Sequence, residues 1–136
     1  MRRSKTILAS VALAGALASV FAAAPPATAA NHDGNPDPRE VILNQDAGFD
    51  GAVYDAYFEE SSYVGKKYIG TNINLNDSAS SVWSYDHLCT TTIYKNTGFV
   101  GPQWTLSRYP DDGYLVSNLS DVGLNNAVSS HAFCRF

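Results

Sequence analysis

Ile73-Asn74-Leu75-Asn76-Asp77-Ser78-Ala79-Ser80-Ser81 returns forty-nine residues later as Val122-Gly123-Leu124-Asn125-Asn126-Ala127-Val128-Ser129-Ser130. A second match lies upstream. At an offset of fifty, Gly48-Phe49-Asp50-Gly51 falls on Gly98-Phe99-Val100-Gly101, and Tyr54 falls on Trp104. Two anchor points at nearly one offset divide the chain into two copies of one unit, Val41–Leu88 and Cys89–Phe136, with one residue lost between the anchors. No helical period runs through either copy. Short apolar and β-branched runs, such as Val41-Ile42-Leu43 and Thr91–Tyr94, alternate with Gly, Asn, Asp and Ser turns, which predicts an all-β sandwich or barrel. Each unit is too short to bury a core alone, so the two are expected to pack face to face. Glycines at matched positions imply positive φ or close backbone approach in each copy.

One Asn/Asp–Ser stretch alone would read as a turn, because these side chains bond to their own backbone. Two stretches at matched positions ask for a shared reason. Their polar groups are carboxylate, amide and hydroxyl oxygens. Hard cations such as Ca²⁺ take six to eight oxygens, whereas softer metals prefer sulfur or imidazole. Calcium is therefore the expected ligand.

The pattern of two Asn/Asp, two free positions, Ser/Thr and Ser resembles the calcium motif of the βγ-crystallins. The second unit is also similar to the folded hairpin of that family in Tyr94, Phe99 and Gly101. The first unit has Phe49 and Gly51 but Asn44 in place of the first aromatic, a departure that loosens its hairpin. The resemblance spans 41–136 and implies a double Greek-key β-sandwich with two calcium sites near one end. It implies side-chain ligands Asn76, Asp77 and Ser80 from one unit and Asn125, Asn126 and Ser129 from the other. Backbone carbonyls of Ser78 and Ala127 would join them, with those of Gln45 and Lys95, and each site would draw on both units. The first stretch brings one carboxylate, Asp77, and the second brings none. Affinities are thus expected near the extracellular-module range of roughly 10⁻⁴–10⁻³ M, with the Asp77 site the tighter.

The chain of 136 residues has 9 Lys+Arg against 13 Asp+Glu, a formal charge of −4. Its start carries Arg2, Arg3 and Lys5, then an Ala-rich apolar stretch over Ile7–Ala24, then Ala27-Thr28-Ala29. This predicts a signal peptide over 1–29 and a secreted, extracellular product. A membrane anchor is the competing reading, and the weak hydropathy of Ala argues against it. Removing residues 1–29 leaves 107 residues with a formal charge of −7. That acidity excludes a nucleic-acid footprint. Residues 30–40, with Gly34, Pro36 and Pro38, read as a flexible, solvated linker, and His32 as a solvated residue within it.

Cys89 and Cys134 form an even pair in an exported chain, which favours a disulfide. The alternative is a zinc site from His87, Cys89, His131 and Cys134. Strand alternation puts His87 and Cys89 on one face but His131 and Cys134 on opposite faces, so four ligands converge poorly. No Gly-x-Ser-x-Gly turn, His-Glu-x-x-His pair or phosphate loop is present, and the chain reads as a non-enzyme monomer.

Three roles follow from the resemblance. The chain looks like a relative of the secreted streptomycete metalloproteinase inhibitors with a crystallin-like fold, whose partner would be an extracellular protease. Tyr57–Thr71 is then the expected inhibitory loop, although that family's inhibitor has two disulfides and this chain can form only one. The others are a calcium-stabilised structural or stress module and an antimicrobial, killer-toxin-like surface binder. Exposed tyrosines in Tyr54–Tyr68 would serve any of them.

Overall fold

Each unit begins with a hairpin whose strands are rich in β-branched and aromatic residues. The computed structural model describes residues 31–135, and the expected signal peptide, 1–29, lies outside them. The first unit gives β1 (Val41–Asp46), β2 (Asp50–Ala56) and β3 (Ser81–Ser84). The second gives β4 (Thr91–Asn96), β5 (Val100–Leu106), β6 (Leu115–Val116) and β7 (Ser130–Phe133), with a short 3-10 helix, Leu119–Val122, between the last two. One sheet runs β2-β1-β3-β6 and the other β5-β4-β7, all antiparallel. The architecture is the expected all-β double Greek key.

The units exchange backbone segments. β6 of the second unit pairs with β3 of the first. In return Glu60 of the first unit bridges His131 of β7. Each sheet therefore contains backbone from both units, and neither unit can leave without breaking a ladder.

Alternation along the strands sends one face inward. Val41, Leu43, Tyr54, Ala56 and Val82 of one sheet meet Ile93 and Leu106 of the other. Tyr63 and Leu119 sit at matched positions after the exchanged segments, both fully buried. The matching hydrogen bonds are Tyr63 N to Ser129 O (2.9 Å) and Leu119 N to Ser80 O (2.8 Å).

The single lost residue is the balance of two changes. From the end of β5, the second unit takes thirteen residues to reach Leu119, whereas the first takes seven from Ala56 to Tyr63. From Tyr63 to buried Leu75 the first unit takes twelve residues, against five from Leu119 to buried Leu124. A six-residue excess in one connection nearly cancels a seven-residue excess in the next. A linear offset therefore could not show either.

The segment expected to be a flexible linker is bonded to the domain. Asn31 Oδ1 accepts from Tyr57 N (2.8 Å), Asp55 Oδ2 from Gly34 N (2.8 Å), and Tyr85 O from Arg39 N (3.0 Å). His32 packs its ring on Tyr54 at 4.5 Å between centroids, and Glu40 is fully buried. Polar composition hid these attachments, which are individual hydrogen bonds and carry no periodicity.

Candidate metal centre

The two Asx–Ser stretches come together at one end of the sandwich. Their local geometry begins with the backbone. Asp77 (φ 54°) and Asn126 (φ 51°) both adopt the left-handed conformation, which Asn and Asp tolerate better than most residues. Each stretch then crosses to the other unit. Asp77 N donates to Val128 O (3.1 Å), and Asn126 N donates to Ala79 O (2.9 Å).

The crossing decides which side chains meet. Ser129 Oγ donates to Asp77 Oδ1 at 2.9 Å, and Ser80 Oγ donates to Asn126 Oδ1 at 3.4 Å. The residues thus group as Asp77 with Ser129 and Asn126 with Ser80, each pair drawn from both units. Gln45 and Lys95 occupy matched bulges. The ladders skip them between Asn44 and Asp46 and between Tyr94 and Asn96. A bulge leaves the extra residue out of cross-strand pairing. The serines anchor beside these bulges, with Ser80 N on Asn44 O (3.0 Å) and Ser129 N on Tyr94 O (2.9 Å).

Asn76, Asp77, Lys95, Ala127 and Ser129 line an open polar concavity with Asn126. Asn76 Nδ2 donates to Asp77 Oδ2 (2.7 Å), while Asn76 Oδ1 is buried without a hydrogen-bond partner. An orphaned acceptor beside a carboxylate and a hydroxyl is a donor set of hard oxygens, and it fits a divalent cation of the Ca²⁺ type. Asn125 is exposed and does not line this concavity. The Ser78 side chain does not join it. Its hydroxyl donates to Asn74 O at 2.6 Å and lies 3.1 Å from Tyr68 Oη. Among the described residues, no three His, Cys, Asp or Glu side chains converge as a metal cluster, so amides and hydroxyls dominate any site here.

Sequence reasoning assigned no role to the sixth-position serines, Ser81 and Ser130. Each is fully buried. Ser81 Oγ donates to Asp46 O (2.6 Å) and accepts from Phe49 N (3.1 Å). Ser130 Oγ does the same with Asn96 O (2.6 Å) and Phe99 N (3.3 Å). They pin each hairpin to the strand that carries the candidate ligands. Their recurrence in both copies was the signal that could have found them.

The zinc alternative fails on the cysteines, since Cys89 and Cys134 are bonded to each other. His131 is committed elsewhere. Phe58 O can only accept, so Nε2 donates to it (3.0 Å), and Nδ1 accepts from Tyr63 Oη (2.7 Å). Burial holds this imidazole down at a pKa of about 3. His87 packs in an aromatic group with Tyr85 and Tyr109.

The expected inhibitory loop is anchored at two points and otherwise lies at the surface. Within Tyr57–Thr71, Tyr63 and Tyr68 are buried in the core, and Tyr54 is buried just before it. The expectation of exposed tyrosines is therefore corrected for Tyr54, Tyr63 and Tyr68, whose rings fill the sandwich, while Tyr57 is half-buried and accepts from Arg39. Phe58 and Val64 are the exposed large apolar side chains of the segment. Among the described residues no helix is long and apolar enough to cross a membrane.

No protein-family model matches the chain, and comparison with curated proteins finds none similar to it. Solved structures do match. A structure described under the evolution of the eye-lens βγ-crystallin domain fold is 25% identical, with a TM-score of 0.61, over 76% of this chain and 92% of that one. Spherulin 3a from Physarum polycephalum is 26% identical, with a TM-score of 0.53, over 76% and 89%. A βγ-crystallin from an archaeon is 25% identical, with a TM-score of 0.52, over 71% and 98%.

Proposed function

Starting from a domain with the βγ-crystallin fold, we propose that this chain is an exported module that binds two calcium ions at one end of its sandwich and is stabilised by them. The observation that carries this reading is the crossed pairing of Ser129 with Asp77 and of Ser80 with Asn126. An ion held by either pair would bridge the two units. Asp77, Ser129, Asn76 and the Lys95 carbonyl would serve one site. Asn126, Ser80, Asn125 and the Gln45 carbonyl would serve the other, with the Ser78 and Ala127 carbonyls as further donors. Binding that favours the folded state stabilises it by mass action. With dissociation constants of roughly 10⁻⁴–10⁻³ M, about 10 mM calcium contributes on the order of 1.4–2.7 kcal/mol per site.

Calorimetric titration and thermal melting test this together. Calcium should raise the Tm and excess chelator should lower it. Asp77→Ala should cost more of the measured affinity than Asn126→Ala. A Tm indifferent to both calcium and chelator overturns the reading, and equal losses from the two variants overturn the ranking.

The structural-module role rests on the crossed Asx–Ser pairs; for peptidase inhibition the segment singled out offers exposed Phe58 and Val64 between buried anchors, with no observation that identifies a protease.

A further inference from the structure

The two hairpins are alike in backbone and unlike on their outer faces. In the second unit, Tyr94 is 5% exposed and lies edge-on to Phe99, with ring centroids 5.9 Å apart. Its neighbours on that face are polar, Thr92, Gln103 and Thr105. In the first unit Asn44 stands where Tyr94 stands, and the ring is gone. The matched neighbours have become Ile42, Val53 and Asp55. Trp83 and Leu115, from β3 and the exchanged β6, add apolar walls.

What remains is a cavity of about 290 Å³ above Phe49, closed on one side by Gly34–Pro36. That volume lies at the lower edge of small-molecule sites. The strap that closes it is held by the Gly34 N–H on Asp55 Oδ2 (2.8 Å). Two acceptors in this lining lack hydrogen-bond partners. Asn44 Oδ1 and Asp55 Oδ1 are both buried, on residues 4% and 0% exposed. Asp55 Oδ1 lies 3.8 Å from His32 Nδ1. A buried acceptor without a donor is unfavourable, and a ligand that brings a donor relieves it.

We propose that this cavity binds a small molecule built on a single phenol ring, which lies among Phe49, Trp83 and Leu115 and turns its hydroxyl inward to donate to Asn44 Oδ1. In the second unit the matched phenylalanine, Phe99, is met edge-on by Tyr94 and covered by the Arg135 guanidinium at 4.0 Å, and the replacement of that tyrosine by Asn44 is what leaves ring-sized space beside Phe49. The apolar walls favour a neutral ring over a sugar or an anion.

The test uses the purified chain and 4-methylphenol, the isolated tyrosine side chain, followed by two-dimensional NMR. Saturable shifts are expected at the Trp83 indole N–H and the Asn44 side-chain amide. Toluene, which has the ring but no hydroxyl, should bind about tenfold more weakly. Asn44→Tyr, which fills the cavity from within, should abolish binding. Should that variant not fold, Leu115→Lys at the open rim should weaken binding at least several-fold. Shifts absent at Trp83, equal affinity for toluene, or undiminished binding in the folded variant would each overturn the proposal. So would tighter binding of N-acetyl-tyrosinamide than of 4-methylphenol, which would make the occupant a polypeptide side chain.

Discussion

At Asp77 the backbone and the chemistry ask for the same kind of residue. A left-handed φ favours Asn and Asp, and a hard cation favours their oxygens. This double demand made the stretch legible, since two copies of it marked the repeat. It also explains what a single copy could not reveal, because an Asx turn and a ligand loop look alike in sequence. The partner of Asp77 was equally hidden. Ser129 lies 52 residues away and meets it through the exchange between units. Asn126 occupies the twin position without a carboxylate, so Asn126→Asp tests charge at fixed backbone. It should tighten the weaker site by roughly tenfold, on the order of 1.4 kcal/mol, and bring the two calorimetric constants together. Unchanged affinity would mean that Asn126 binds no ion.

At the scale of the element, the hairpins depend on their anchors. Phe49 and Phe99 adopt positive φ (64° and 61°), and Gly51 and Gly101 follow at 77° and 87°. Such a turn needs outside support, and Ser81 and Ser130 provide it. Ser130→Ala would leave Phe99 N and Asn96 O without their partner in a buried setting, at a cost of about 1–3 kcal/mol. Ser81→Ala should cost a similar amount through Phe49 N and Asp46 O. Urea unfolding measures both, and losses within a few tenths of a kcal/mol would deny the serines their anchoring role. The apolar and β-branched runs of β1 and β4 are legible in the amino-acid pattern alone. The exchanged segments are not, because Glu60 pairs as a lone bridge and β6 has two residues. Segments that short carry no period, and their partners are set by the packing of the whole sandwich.

For the whole molecule, two buried groups pull stability in opposite directions with pH. His131 is neutral in the fold, its pKa lowered from 6.5 to about 3, chiefly by burial. The unfolded chain therefore binds its proton first, and stability is lost as pH falls from about 6.5 toward 3. Glu40 runs the other way. Burial, with Asp55, Asp37 and Asp33 nearby, raises its carboxyl to about 7 despite the hydrogen bond from Asp37 N. The folded chain holds that proton more tightly, so stability is fully present below about 4.5 and is lost as pH rises through about 7. Asp55, raised in the same direction by burial, adds to this second limb. Between about 4.5 and 6.5 the opposing slopes offset, and the Tm should be nearly flat there and decline on both sides. Glu40→Gln removes a buried charge and keeps an acceptor for Asp37 N. It should raise stability at pH 8 by up to about 3 kcal/mol and change little at pH 4. In that variant the flat region should tilt into a rise toward neutral pH, the His131 limb then being opposed by Asp55 and no longer by Glu40. Parallel pH profiles for wild type and Glu40→Gln, measured by thermal melting, would show that Glu40 is not the group that sets the neutral limb.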